Sequence, residues 1–155
     1  MLHALVADHV VQGRVIFPGA GYLDVARAAG ATALRGVYFL QPLAAEATGL
    51  LVECAISDGR FEVRSGAAEA LEDATVHCSG AMTTDNGWQR VERALLRTLS
   101  RAADVAALYE GFDAVGLQYG PGYRTLVQVW GCASDALSRL RARATQEGTQ
   151  VHPAD

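Results

Sequence analysis

A histidine placed beside a tight glycine turn and ahead of a helix start can move a proton while backbone N–H groups steady a carbonyl oxygen. The stretch His9-Val-Val-Gln-Gly13-Arg-Val-Ile-Phe-Pro18-Gly19 holds those parts at the spacing H-x-x-x-G-x-x-x-x-P, and Gly19-Ala-Gly-Tyr-Leu-Asp24-Val-Ala-Arg-Ala-Ala follows it. Histidine is the side chain that changes charge nearest neutrality. Gly13 suits a turn, and a helix beginning at Pro18-Gly19 would aim N–H groups and positive dipole at an oxyanion. On these residues His9 is a candidate base, with Gly13, Pro18 and Gly19 shaping its surroundings.

The elements that must position these groups are partly legible. Pro18-Gly19 opens a helix over residues 19–30, with Tyr22, Leu23, Ala26 and Ala29 near helical spacing and Gly30 as its stop. Strands are predicted over 34–40, 50–56, 61–65 and 74–82, with Ser57-Asp58-Gly59-Arg60 as a hairpin turn. One helix followed by several antiparallel strands is an α+β arrangement. Residues 83–101 read as a linker, in which Arg90, Arg93, Arg97 and Arg101 recur as on a solvated helical face. A second helix is predicted over 102–112, a rigid turn at Gly120-Pro121-Gly122, and a strand pair over 123–130 and 136–144.

Composition narrows the function classes. The chain has 155 residues, half of them hydrophobic, which suits one ordinary domain or a piece of a larger one. A net charge of −4 without a basic cluster argues against nucleic acid. No apolar run reaches membrane-span length and no secretory signal is visible, so a cytoplasmic protein is expected. Cys54, Cys78 and Cys132 are widely spaced and form no C-x-x-C pair, which reads as buried reduced thiols and not as a metal site. His77 reads as a packed or surface residue, His152 as structural, Trp88 and Trp130 as packing residues, and His3 has no motif to support it as a base.

Three segments carry a resemblance to a known family. They are Asp8-His9 through Gly13 to Pro18-Gly19-Ala20-Gly21-Tyr22-Leu23-Asp24; Gly116-Leu117-Gln118-Tyr119-Gly120-Pro121 with Tyr123; and Val151-His152-Pro153-Ala154-Asp155. In this order they closely resemble the dehydratase domains of modular polyketide synthases, with their G-L-x-Y-G-P-x-F and H-P-x-x-L-D motifs. The resemblance implies a double hotdog fold, each hotdog a long helix wrapped by a curved antiparallel sheet. It also implies elimination of water from a 3-hydroxyacyl chain carried on the phosphopantetheine of an acyl carrier protein, with no metal and no cofactor in the protein. On this resemblance His9 takes the C2 proton and Gly19 lies near the carbonyl-binding helix end. Tyr119, Gly120 and Pro121 would line the substrate channel.

The resemblance implies three regions: a first hotdog over 1–85 lacking its N-terminal strands, a linker over 86–101, and the start of a second hotdog over 102–155. The family's acid, an aspartate on the second hotdog's helix, would fall just beyond Asp155, so little activity is expected of this chain alone. Residues 102–150 would then expose apolar surface and open strand edges. Stand-alone acyl carrier protein dehydratases, which are single hotdogs that dimerise, carry their acid six residues after the Pro of a Pro-Gly pair. Asp24 stands six residues after Pro18, so a homodimer could bring it to His9 of the other copy. The partners implied are the carrier protein, the remaining dehydratase half and neighbouring synthase domains. Alternatives are a related double-hotdog activity (double-bond shifting, ring formation or product-template cyclisation) and a non-catalytic remnant.

Overall fold

The computed structural model describes residues 5–46, 49–67, 73–83, 101–142 and 152–154. Its first half runs β1 (His9–Val11), β2 (Arg14–Val15), α1 (Gly19–Ala28), β3 (Ala33–Phe39), β4 (Leu50–Ser57), β5 (Arg60–Ala67) and β6 (Thr75–Thr83). The second runs β7 (Arg101–Ala103), α2 (Val105–Ala114), β8 (Leu117–Tyr119), β9 (Leu126–Gly131) and β10 (Ala136–Leu140). The largest sheet is antiparallel in the order β3-β6-β5-β4, and α1 packs on β5 and β3. A helix held against an antiparallel sheet is the α+β hotdog arrangement.

Local chemistry explains why these elements form. The β4–β5 hairpin turns on Asp58 (φ 50°) and Gly59 (φ 72°), between the paired Ser57 and Arg60. Two central residues at positive φ make a type I′ turn, whose twist matches that of its strands. At the C-terminus of α1, Gly30 takes φ 113°, its N–H donates to the Arg27 carbonyl, and the Ala31 N–H donates to the Ala26 carbonyl. This is a Schellman stop that a side chain at Gly30 would strain. Gly36 (φ 55°) sits where the β3–β6 register slips between Arg35 and Tyr38, bending the strand that ends at the site.

The core lies between α1 and the large sheet. Phe61, Val63 and Cys78 from the sheet meet Tyr22 and Ala26 from α1, with Val6, Phe17 and Leu43 closing the ends. Full burial of a side chain such as Phe61 contributes about 1.5–3 kcal/mol. Gly21 is required by this packing, because a Cβ there would come within 2.7 Å of the Phe17 ring.

Several expectations need correction. The second helix does not begin at Ala102: residues 101–103 form β7, and the Asp104 carboxylate caps α2 by accepting from the Ala106 and Ala107 N–H groups. Arg101 is therefore on a strand and not on a helical face. Arg90, Arg93, Arg97, Trp88, His3 and most of the linker lie outside the described residues. The strand expected from Tyr123 starts at Leu126, and β2 and β8, too short for a periodic signal, were not expected. Of the three thiols only Cys78 is buried; Cys54 is half-buried and Cys132 exposed. In the second half Val115 is 70% exposed and Val127 49%, and no residue of α2 is buried.

Candidate active site

β1 carries His9 in the middle strand of a small sheet ordered β2-β1-β8. On one side Gln12 (φ 50°) and Gly13 (φ 75°) form a second two-residue turn, between the paired Val11 and Arg14. On the other, His9 pairs with Tyr119. The hairpin tip is fastened to the second half: the Gln12 N–H donates to the Gly116 carbonyl at 2.7 Å, and the Gly13 N–H to Gln118 Oε1 at 2.8 Å.

The His9 ring is half-buried among aromatic rings. Tyr119 stacks on it at a centroid distance of 5.4 Å and 28°, and Tyr123 lies at 5.3 Å and 54°. Its Nδ1 lies 2.7 Å from the Ile16 carbonyl oxygen. A carbonyl only accepts, so Nδ1 carries the hydrogen and, in the neutral ring, Nε2 keeps the lone pair. Burial pushes the pKa of His9 below its ordinary value of 6.5, with the bond to Ile16 acting the other way. The ring is thus neutral, oriented and basic at Nε2 near neutral pH.

His9 and the start of α1 share one cleft of about 340 Å³, lined by Ile16, Phe17, Gly19, Tyr22 and residues 39–42 as well. Pro18, extended at φ −71° and ψ 147°, precedes the helix without a side-chain cap. Proline has no N–H; in the first turn the Gly21 N–H donates to the Pro18 carbonyl at 2.9 Å, which leaves the N–H groups of Gly19 and Ala20 as those without an intrahelical acceptor. A Cβ on Gly19 would meet the Phe39 ring at 3.3 Å, so glycine lets Phe39 close over the helix start. The buried Tyr22 hydroxyl has no hydrogen-bond partner among the described residues. Its burial chiefly, with the neighbouring Cys78, pushes its pKa up to about 12, against a weaker pull from the Leu43 backbone. It therefore remains a neutral phenol.

The other expected residues sit differently. Asp24 lies on α1 about 200° round the helix from Tyr22. It lines a separate cavity of about 310 Å³ with Ala20, Leu23, Arg27 and His152. Within one copy the structure does not bring Asp24 into the His9 cleft. Tyr119 touches the His9 ring, whereas Gly120 and Pro121 belong to a loop folded onto Asp8 and do not line that cleft. Gly120 N–H donates to the Asp8 carbonyl at 2.8 Å and Gly122 N–H to Asp8 Oδ2 at 2.5 Å. A Cβ on Gly120 would overlap the Asp8 carboxylate, and one on Gly122 would come within 2.7 Å of it. His152 is buried, with its ring against Tyr123 at 5.8 Å.

Sequence reasoning left Asp8 open and passed over Gln41. The glycines on both sides of Pro121 were the available signal for Asp8, since they leave room for a carboxylate. His77 is buried, with Nε2 at 2.7 Å from Ser65 Oγ and Nδ1 at 3.0 Å from the Gln41 carbonyl. No cluster of three or more His, Cys, Asp or Glu that could hold a metal lies among the described residues. No helix among them is long and apolar enough to cross a membrane.

Comparison with known proteins follows the same geometry. A family profile described as polyketide synthase dehydratase domain matches residues 2–66, and one described as polyketide synthase dehydratase N-terminal domain matches residues 88–154. The polyketide synthase ThaG of Burkholderia thailandensis is 33% identical over 88% of this chain and 3% of its own length. The polyketide synthase PksN of Bacillus subtilis is 26% identical over 86% of this chain and 3% of its own. The chain thus spans a few per cent of the curated relatives it matches. The dehydratase domain from the CurK module of curacin polyketide synthase superposes with a TM-score of 0.78 at 23% identity. That match covers 97% of this chain and 60% of the other. A dehydratase structure concerned with the borrelidin and fluvirucin synthases gives 0.78 at 26% identity, over 98% and 60%.

Proposed function

The chain belongs to the polyketide synthase dehydratase family, and from that premise we propose that it is the base-bearing part of a domain that eliminates water from 3-hydroxyacyl thioesters. The observation that carries this reading is the shared cleft of His9 and the uncapped start of α1. Nε2 of neutral His9 takes the C2 proton. The thioester carbonyl, turning towards an enolate, lies at the Gly19 end of α1, where first-turn N–H groups and the helix dipole favour the developing negative charge. The C3–oxygen bond breaks as the C2–C3 double bond forms. The hydroxyl leaves as water once an acid protonates it.

The cleft holds no carboxylate among the residues that line it, so the acid is assigned to another part of the synthase. The substrate rides on the phosphopantetheine of an acyl carrier protein in this reading, and the protein itself carries no cofactor. Residues 1–85 form the first hotdog, 86–101 the linker and 102–155 the opening of the second, in a cytoplasmic synthase. Gly13 and Pro18 shape the base's turn and the helix start. Tyr119 holds the base ring, and Gly120 and Pro121 stand behind it.

The test separates proton abstraction from elimination. A base and an oxyanion site without an acid exchange the C2 proton of a 3-hydroxybutyryl-pantetheine thioester with deuterium faster than they dehydrate it. In D2O the chain is expected to introduce deuterium at C2, read by mass spectrometry, and His9→Ala to abolish this. Exchange that survives His9→Ala would sink the assignment. An equimolar mixture of His9→Ala and Asp24→Asn chains is expected to give no dehydration. Recovery of dehydration in that mixture would move the acid to Asp24 of a second copy.

A further inference from the structure

We propose that His77 is a positioning residue for the His9 cleft, fixing the wall formed by residues 39–42 through the carbonyl of Gln41. The inference rests on reading that cleft as the acyl site. Phe39, Leu40, Gln41 and Pro42 line the cleft opposite the start of α1. Three hydrogen bonds fasten this segment and Leu43 that follows it. The Leu40 N–H donates to the His77 carbonyl at 2.8 Å, the Phe17 N–H donates to the Leu43 carbonyl at 2.8 Å, and His77 Nδ1 meets the Gln41 carbonyl at 3.0 Å. The first two are main-chain bonds that most sequences could make. The third requires the His77 side chain.

The proton arrangement follows from the partners. The Gln41 carbonyl only accepts, so Nδ1 of His77 bears the hydrogen. Nε2 of the neutral ring then accepts from the Ser65 hydroxyl, 2.7 Å away and itself buried. The ring lies parallel to Tyr22, with an interplanar angle of 3° and centroids 6.1 Å apart, which fixes its plane as well as its edge. Ser65, His77 and Tyr22 thus orient one donor at one carbonyl. Neither Ser65 nor His77 lines the cleft, so this buried pair is not a second nucleophile. Without the donor, the Gln41 peptide is free to rotate its carbonyl into the cleft, carrying Leu40 and Pro42 with it.

Two near-isosteric variants separate positioning from bulk packing. His77→Asn keeps an N–H at the place of Nδ1 and loses Nε2, whereas His77→Gln keeps a polar group at the place of Nε2 and loses Nδ1. Both remove a buried ring, so both lower the melting temperature. Amide hydrogen exchange reads the wall directly. At Leu40 and Phe17, exchange is expected to quicken about tenfold or more in His77→Gln, the scale of one lost hydrogen bond, and to stay near the parent's rate in His77→Asn. Amides of the Ser57–Arg60 hairpin should not respond to either. Equal acceleration in the two variants, or none in His77→Gln, overturns the proposal.

Crotonyl-pantetheine binding to the same chains then tests the site reading. About tenfold weaker binding in His77→Gln alone supports both. A loosened wall with unchanged crotonyl-pantetheine binding leaves His77 as the positioning residue and overturns the acyl reading of the cleft.

Discussion

Removing the Asp8 carboxylate should loosen the support of the His9 ring without touching the ring. Asp8 Oδ2 accepts from the Gly122 N–H at 2.5 Å in a partly buried setting, joining the residue before His9 to the loop that runs from Tyr119, at the end of β8, to Tyr123. A hydrogen bond to a charged group contributes about 1.5–3 kcal/mol, and partial exposure places this one near the lower end, about 1.5–2 kcal/mol. For a chain of this length each kcal/mol moves the melting temperature by about 2–4 °C, so Asp8→Ala is expected to lower it by about 3–8 °C. Asp8→Asn retains an acceptor oxygen and loses only the charge, and about half of that shift is expected. Calorimetry gives the shift, and the His9 ring-proton resonances, displaced by the flanking Tyr119 and Tyr123 rings, report the local effect. An Asp8→Ala chain melting within about 1 °C of the parent, or moving no more than Asp8→Asn, would refute the reasoning.

Because His9 is held below its ordinary 6.5, C2 exchange is expected to be flat from pH 7 upwards and to fall only below that value, measured as deuterium uptake against pH. Its contribution to stability has the same sense. The unfolded chain takes up the proton first, so stability is complete above about pH 6.5 and is lost as pH falls from there towards the folded pKa, which urea melts between pH 5 and 7.5 will follow. Tyr22→Phe removes a buried hydroxyl that has no hydrogen-bond partner among the described residues, and stability is expected to be unchanged or raised by up to about 1 kcal/mol. A loss beyond about 1 kcal/mol in denaturant melts would show that the hydroxyl is bonded after all.

The residues that chemistry needs at fixed spacing were legible, and those fixed by long-range geometry were not. His9 and Gly19 fall within a short stretch, so one hairpin turning at Gly13 and one helix start after Pro18 bring them to a single cleft and the spacing reveals it. The Asp58-Gly59 turn and the Gly30 stop are equally local, since each depends on one residue's freedom at positive φ. The partners of His77, by contrast, come from β5 and from the end of β3. Asp8 meets a glycine 114 residues away. Nothing in the alternation around Thr75, His77 and Ser79 distinguishes a bonded buried histidine from an exposed one. Within one copy Asp24 and His9 line separate cavities, because six residues after Pro18 turns Asp24 away from the face that holds Gly19 and Tyr22.

The sheet β2-β1-β8 also sets an order of events during synthesis. His9 leaves the ribosome well before the strand that completes its surroundings, which belongs to the second half, and Gly13 waits for an acceptor 105 residues later. At about 5–20 residues per second that interval is on the order of 5–20 s, during which the His9 ring lacks the Tyr119 and Tyr123 rings that flank it. The contact is of high sequence separation, so its loop-closure entropy is met late in folding. A nascent first half can therefore build its helix and its large sheet before the rings of the second half reach His9. The aromatic cage around His9 closes only when the second half docks, which makes the surroundings of that ring a reporter of finished assembly.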